Sequence, residues 1–402
     1  MLPLEGTRVL DLTNVLAGPF CGYQLARMGA EVVKVENPKG GDLARRLGAD
    51  PEMARHEMGL SFVAVNAHKQ SIALDLKDPR GKAVFLELVE HADVVLENFR
   101  PNVMKRLGLD HPVLAARNPR LVYCAISGFG QTGPWAERPA YDQIVQGLAG
   151  VMSVTGDETS APLRTGFPIC DTIGGMTAAF AVAAALAGQR ATGQGRFIDV
   201  SLLESTLAAM GWVVSNFLNG GAVPRPMGNE NFTAAPSGTF RTGNGLLNIS
   251  ANEQKQFETL CDLIGRPDLA SDARFAERHS RKRHRDELRA LIEGRLVARG
   301  AAEWETLFNA HGVPAGQVLG VPEILDEPQV RDRGFVETLP ATKPDGGSLR
   351  VTRPGFRLDE PLPAPAGPPA LGADTRSWLR RLGRSDEEID AMARAGIVGL
   401  AP

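Results

Sequence analysis

Histidine is missing from a long central stretch of this 402-residue chain: it has seven, and none lies between His111 and His279. Chemistry in that stretch that needs an imidazole base has little local support. His279 and His284 belong to His-Ser-Arg-Lys-Arg-His-Arg, which reads as the solvated start of a helix. Nucleotide motifs are missing too. After the first expected strand the chain reads Thr13-Asn14-Val15-Leu16-Ala17-Gly18-Pro19. There is no G-x-G-x-x-G, and Pro19 removes a backbone donor from the turn where a pyrophosphate would sit, which argues against an NAD-linked oxidoreductase. No P-loop, G-x-S-x-G or zinc-protease motif occurs. The four cysteines (Cys21, Cys124, Cys170, Cys261) are widely scattered. That spacing suits neither zinc nor a disulfide framework and fits reduced thiols in a cytoplasmic protein, so no metal is expected. A net charge of −3 gives no general attraction to nucleic acid or to an anionic membrane. No apolar run approaches the roughly 20 residues of a membrane span. The start, MLPLEGTRVLDLT, lacks the basic and apolar regions of a signal peptide.

What is present is ordinary soluble usage, 43% apolar and 23% charged, in a chain too long for one core. Short apolar runs over 8–12, 31–36, 72–76, 93–96, 121–126 and 197–200 read as strands. Helical patterns at 19–28 and 79–91 fall between them, which predicts βαβ units and a parallel α/β sheet. Further helices are expected from about Tyr141 and up to about Leu218. The stretch 219–226, with two glycines and two prolines, reads as a linker. Beyond it, strands near 239–241 and 246–249 and helices at 254–264, 283–296 and 302–311 suggest a smaller α+β domain. The region after Arg331 is rich in proline and ends in a charged helix over 385–393. In doubly wound sheets ligands bind beyond the carboxyl ends of the strands, which directs attention to the exit loops at 15–18, 97–100 and 127–133.

The stretch 166–190, GFPICDTIGGMTAAFAVAAALAGQR, stands out. Asp171 sits where a small-residue apolar helix begins. Asp is a favoured N-cap, and the helix N-terminus favours its ionised form. A cap alone is the commoner role. Yet Gly174 and Gly175 are poor residues for a first turn, and their presence suggests a close approach to the backbone. An ionised carboxylate in such a place is a candidate nucleophile. Cys170 is a rival nucleophile with no activating base nearby in the sequence, and a buried cysteine is more often an apolar filler.

These pieces resemble the class III CoA-transferases (the formyl-CoA transferase, carnitine CoA-transferase and bile-acid-inducible group). The resemblance lies in DLTNVLAGPFCGYQLARMGAEVVKVENPKGGDLAR over 11–45, NAHKQSIALDLKDPRGK over 66–82 and VVLENFRPNVMKRLGLD over 94–110. It continues in SGFGQTGPWAERPAYDQIVQGLAGVMSVTG over 127–156 and in PICDTIGGMTAAFAVAAAL and TGQGRFIDVSLLES. It implies a Rossmann-like large domain built from both chain ends (1–218, with 329–402 returning to it) and a small domain over 225–328. It also implies an interlocked homodimer. Asp171 matches the catalytic aspartate, which attacks an acyl-CoA to give a mixed anhydride and then an aspartyl-CoA thioester. The helix N-terminus and glycine N–H groups would stabilise the oxyanions. Coenzyme A, as acyl-CoA substrate, would be held by Val15, Leu16, Ala17, Asn98, Phe99, Arg106 and Lys69. Tyr141 and Asp142 would lie at the acyl end, with Arg45, Arg46 and Arg164 as binders of a second carboxylate. Related 2-methylacyl-CoA racemases carry a histidine before the acid where this chain has Ala140-Tyr141-Asp142, a departure that favours the transferase. Leu16 stands where formyl-CoA transferase has glutamine, which argues against oxalate. The loop 228–233 departs from the commoner histidine-proline version. A non-catalytic CoA-binding protein, with Asp171 only a cap, is the reading from another class. The expected substrates are an acyl-CoA such as succinyl-CoA and a small dicarboxylate such as itaconate, mesaconate, citramalate or glutarate.

Overall fold

The computed structural model describes residues 1–401. Residues 1–151, 165–222 and 329 onward form one compact unit, and 152–164 with 223–328 form another. Residues 152–164, expected in the first domain, thus cluster with the second unit.

The first unit is built on a seven-stranded sheet. In chain order its elements are β1 (Arg8–Asp11), α1 (Ala17–Arg27), β2 (Glu31–Glu36), β3 (Gln70–Leu74), α2 (Pro79–Glu90), β4 (Val94–Glu97), α3 (His111–Arg117) and β5 (Val122–Ser127). Then come α4 (Asp142–Leu148), α5 (Ile169–Thr192), β6 (Arg196–Ser201), α6 (Leu202–Ala209) and α7 (Gly211–Gly220). The strand β12 (Val398–Gly399) completes the sheet, whose order is β12-β3-β2-β1-β4-β5-β6. Val9 pairs with Val32 on one side and Val94 on the other, both parallel, while Val398 runs antiparallel to Leu74. The connections reverse direction between β1 and β4. That switch point opens a crevice at the carboxyl ends of the strands.

Neighbouring residues on each strand face opposite sides, so the strands feed two cores. Val9, Val94 and Val122 join α1 and α5 in one core. Leu10, Val95 and Tyr123 join α2, α3 and the C-terminal Trp378 and Leu379 in the other. Among the described residues α5 is the one helix long and apolar enough, by length and composition, to cross a membrane. The sequence reading expected no such run. Only one face of α5 is buried: its Cys170, Ala178, Val182 and Leu186 lie in the first core, while Phe180 is exposed.

The proline-rich C-terminal region holds an antiparallel hairpin, β10 (Val336–Thr342) with β11 (Ser348–Thr352), that the sequence reading missed. In the second unit β7 (Ser237–Arg241), β8 (Leu246–Ser250) and β9 (Ala315–Gln317) form an antiparallel sheet. Phe240, Leu247, Phe257, Ile292, Trp304 and Phe308 fill its core. The basic run 279–285 is not all solvated. Arg281 is buried, and its guanidinium donates to Ala235 O, Gln254 Oε1 and Phe275 O.

Candidate active site

The loop after β1 is anchored by buried charge. Lys34 donates from Nζ to Thr13 O (2.6 Å) and is ion-paired with Asp42 (2.9 Å). Asp11 accepts from Thr13 N (2.9 Å) and pairs with Lys69 (2.8 Å). Burial alone would raise the Asp11 carboxyl, but Lys69 and Lys34 hold it below its ordinary value. Asp42 accepts from Val15 N (2.9 Å), and Val15 has a φ of +68°. A β-branched residue in that region is strained and persists only when its surroundings hold it there. Asn98, at the exit of β4, supplies more of that hold. Its side chain accepts from Asn14 N (2.8 Å) and donates to Asn14 O (2.8 Å). The β1 and β4 exit loops are therefore tied together across the switch point.

The helix α5 begins at Ile169, three residues earlier than the sequence suggested, so Asp171 lies in its first turn and is not the N-cap. Asp142 takes the capping role from α4. Its Oδ1 accepts from Cys170 N (2.8 Å) and Asp171 N (3.1 Å). Ile169 N donates to Phe167 O and Thr172 N to Pro168 O. All four N–H groups of the first turn are thus engaged. The helix start therefore leaves none of these four N–H groups free for an oxyanion. The glycines serve packing. A Cβ on Gly174 would stand 2.1 Å from Leu202 Cδ2, and one on Gly175 would stand 2.4 Å from Ala17 O. The close approach is that of α1 and α6, and it sets Asp171 beside the loop that leads into α1.

The Asp171 carboxylate is half-buried and accepts no hydrogen bond from any described residue. Burial, and then the nearby Asp142 charge, push it up to about 7. The expectation that the helix N-terminus keeps it comfortably ionised is therefore overturned, because Asp142 occupies the anion position there. A carboxylate this basic and this poorly solvated is a better nucleophile than an ordinary one. Cys170 is buried and its thiol raised, so it is not an activated nucleophile.

The other expected residues divide into three groups. Val15, Leu16, Ala17, Asn98 and Phe99 gather at the switch point, with Phe99 also packed on the second core. Tyr141 is exposed immediately before Asp142, and Arg106 is exposed with no side-chain partner among the described residues. Lys69 and Arg45 belong elsewhere. Lys69 is buried, and its ammonium donates to Asp11, Pro19 O and Asn66 Oδ1. Arg45 is buried over the Phe62 ring and donates to both Glu36 oxygens and to Glu57 O and Pro369 O. Lys69 uses all three of its N–H groups and Arg45 four of its five, and both are buried, so both readings are corrected to structural roles. Arg46 donates to Gly40 O at the surface, and Arg164 is exposed in the second unit. Gln146 was missed. Its only signal was its place four residues after Asp142, a spacing at which side chains on a helix meet.

Comparison with known proteins gives this arrangement its family. The model of CoA-transferase family III matches residues 4–375. Succinyl-CoA:glutarate CoA-transferase of Mus musculus is 36% identical over 404 residues, spanning 99% of this chain and 91% of the relative. Acetyl-CoA:oxalate CoA-transferase of Acetobacter aceti is 39% identical over 367 residues, 91% of this chain and 92% of the relative. The crystal structure of a CAIB/BAIF family protein from Brucella suis superposes with a TM-score of 0.83 at 33% identity, covering 95% of this chain and 99% of that one. The chain therefore belongs to CoA-transferase family III and is an enzyme that transfers coenzyme A from acyl-CoA substrates.

Proposed function

We propose that this transferase moves CoA from succinyl-CoA to a small dicarboxylate, with Asp171 as the covalent nucleophile. The observation that carries the proposal is the Asp171 carboxylate itself, free of protein donors and raised to about 7 at the carboxyl edge of the sheet. Asp171 attacks the thioester carbonyl; the C–S bond breaks, CoA leaves as thiolate and a mixed anhydride remains. The thiolate then attacks the aspartyl carbonyl, releasing the donor acid and leaving an aspartyl-CoA thioester. The acceptor carboxylate attacks that thioester, and the thiolate, expelled once more, takes the acceptor acyl group and restores Asp171. Val15, Leu16, Ala17, Asn98 and Phe99 would hold the CoA chain at the switch point, Arg106 would meet a phosphate, and Tyr141 would flank the acyl group.

Relatives named for glutarate and for oxalate support a dicarboxylate acceptor. The second of these weakens the argument from Leu16 against oxalate, so oxalate belongs in the acceptor panel with itaconate, mesaconate, citramalate and glutarate. A homodimer fits the large apolar side chains on α5 to α7, where Phe180, Trp212 and Leu218 are each at least 71% exposed.

The test is mass spectrometry of the protein after incubation with succinyl-CoA and trapping with hydroxylamine or borohydride. Modification of the peptide carrying Asp171 is expected. An unmodified peptide, with deuterium instead entering the α-carbon of a 2-methylacyl-CoA, would replace the transferase route with racemisation.

A further inference from the structure

Gln146 is buried on α4, one turn after Asp142, and both ends of its amide are used. Nε2 donates to Asp142 Oδ2 (2.6 Å) and lies 3.4 Å from Phe167 O. Oε1 accepts from Thr165 N (2.9 Å) and Thr165 Oγ1 (3.3 Å). The orientation of the amide is fixed by its partners. A carboxylate and a carbonyl can only accept, and a backbone N–H can only donate. One side chain thus binds Asp142 to the segment 165–167 that leads into α5. With Oδ2 held by Gln146, Oδ1 of Asp142 lies over Cys170 N and Asp171 N.

This seat matters because the start of a helix is where a carboxylate is most easily stabilised. Asp171 is in the first turn and would take those N–H groups if they were free. We infer that Gln146 is a positioning residue for the transfer reaction: it locks Asp142 into the anion seat of α5 and so keeps the Asp171 carboxylate without donors. The inference rests on Asp171 being the nucleophile. Its physical content is a competition between two acids for one helix terminus, decided by a third side chain that touches no substrate. Other titratable groups lie on the elements packed against α5. They are Cys21, Tyr23 and Arg27 on α1, Glu204 on α6, Tyr123 and Cys124 on β5, and Arg196 and Asp199 on β6. Asp142 is the charged group that acts on Asp171.

Two variants separate this role from simple support of the fold. Gln146→Leu keeps bulk and removes both hydrogen-bonding ends. Gln146→Glu keeps the shape but can donate to Asp142 only while protonated. The measurement is the rate of Asp171 labelling by succinyl-CoA between about pH 5 and 9, with KM for the acyl-CoA and the thermal midpoint recorded alongside. For wild type, labelling should rise with pH as the raised Asp171 carboxyl loses its proton, around a midpoint near 7. For Gln146→Leu the midpoint should move to lower pH by roughly one unit or more. Its plateau rate should fall about tenfold, with KM changed less than about threefold. Gln146→Glu should label within about threefold of wild type near pH 5.5 and about tenfold more slowly near pH 8.5. A Leu variant that labels with the wild-type midpoint, its loss of rate following only a lower thermal midpoint, would overturn the inference. If that variant does not fold, a Glu variant with a constant ratio to wild type across pH does the same. Absence of any label on wild-type Asp171 would instead bring down the nucleophile assignment, and this inference with it.

Discussion

The first unit holds two kinds of carboxylate withdrawn wholly or partly from water, and they sit close to the same sheet edge. Asp11 and Glu36, beneath the β1 exit loop, have cations within hydrogen-bond reach: Lys69 at 2.8 Å and Arg45 at 2.6 Å. Burial would raise both, yet the cations hold both below their ordinary values. Asp171 and Glu97 have no cation, and burial pushes each up to about 7. The unpaired pair differs again within itself. Glu97 accepts from Phe99 N (2.8 Å) and lies 3.4 Å from the Tyr123 hydroxyl, whereas Asp171 accepts from no described residue. A paired carboxylate holds structure together, a hydrogen-bonded one turns a loop, and only a carboxylate left without partners is poised to form a bond to substrate.

Breaking a pair should do the most damage. Lys69→Met leaves Asp11 charged and buried with its nearest cation gone. A loss of about 3–5 kcal/mol in unfolding free energy is expected, read from urea denaturation. Removing the unpaired charge should act in the opposite sense on stability. Asp171→Asn should abolish labelling and turnover yet be more stable than wild type at pH 8, by about 1–3 kcal/mol in unfolding free energy. The sign follows from the raised value. The folded protein binds this proton more tightly than the unfolded chain, so wild-type stability falls as pH rises from the ordinary 3.8 through about 7. Near pH 4 the two proteins should therefore converge, which thermal melts across pH would show. The smallest effect is expected at the loop that the paired charges hold. Val15→Gly relieves the strain of the φ of +68°. It should gain about 1 kcal/mol, while KM for the acyl-CoA rises about threefold or more as the loop loses its fixed shape.

The sheet was legible because its signals are local. The strand 31–36 was read with the bounds the structure has, and α2 and β5 fell within a residue of their expected ends. What local sequence hid was partnership over distance. The acid that caps α5 comes from 29 residues upstream, so Asp171 looked like its own cap. Lys69 and Arg45 looked available to a ligand because Asp11 and Glu36, which pair with them, lie on other elements of the fold. Gly174 and Gly175 signalled a close approach correctly, but the neighbours were Leu202 and Ala17, which no spacing rule could name. The hairpin from β10 to β11 did carry a signal, Asp345-Gly346 between two alternating runs, which the proline-rich surroundings masked.

The two-residue strand β12 lies beside β3, although roughly 300 residues of chain separate them. At about 5–20 residues per second, a ribosome finishes that stretch some 15–60 s after β3 has emerged. Through that interval β3 offers an unpaired edge to anything else that can add a strand. The nascent chain thus has to be shielded from its neighbours until the segment carrying Val398 and Gly399 has emerged, and a chain without that segment would keep its sheet open on the β3 side.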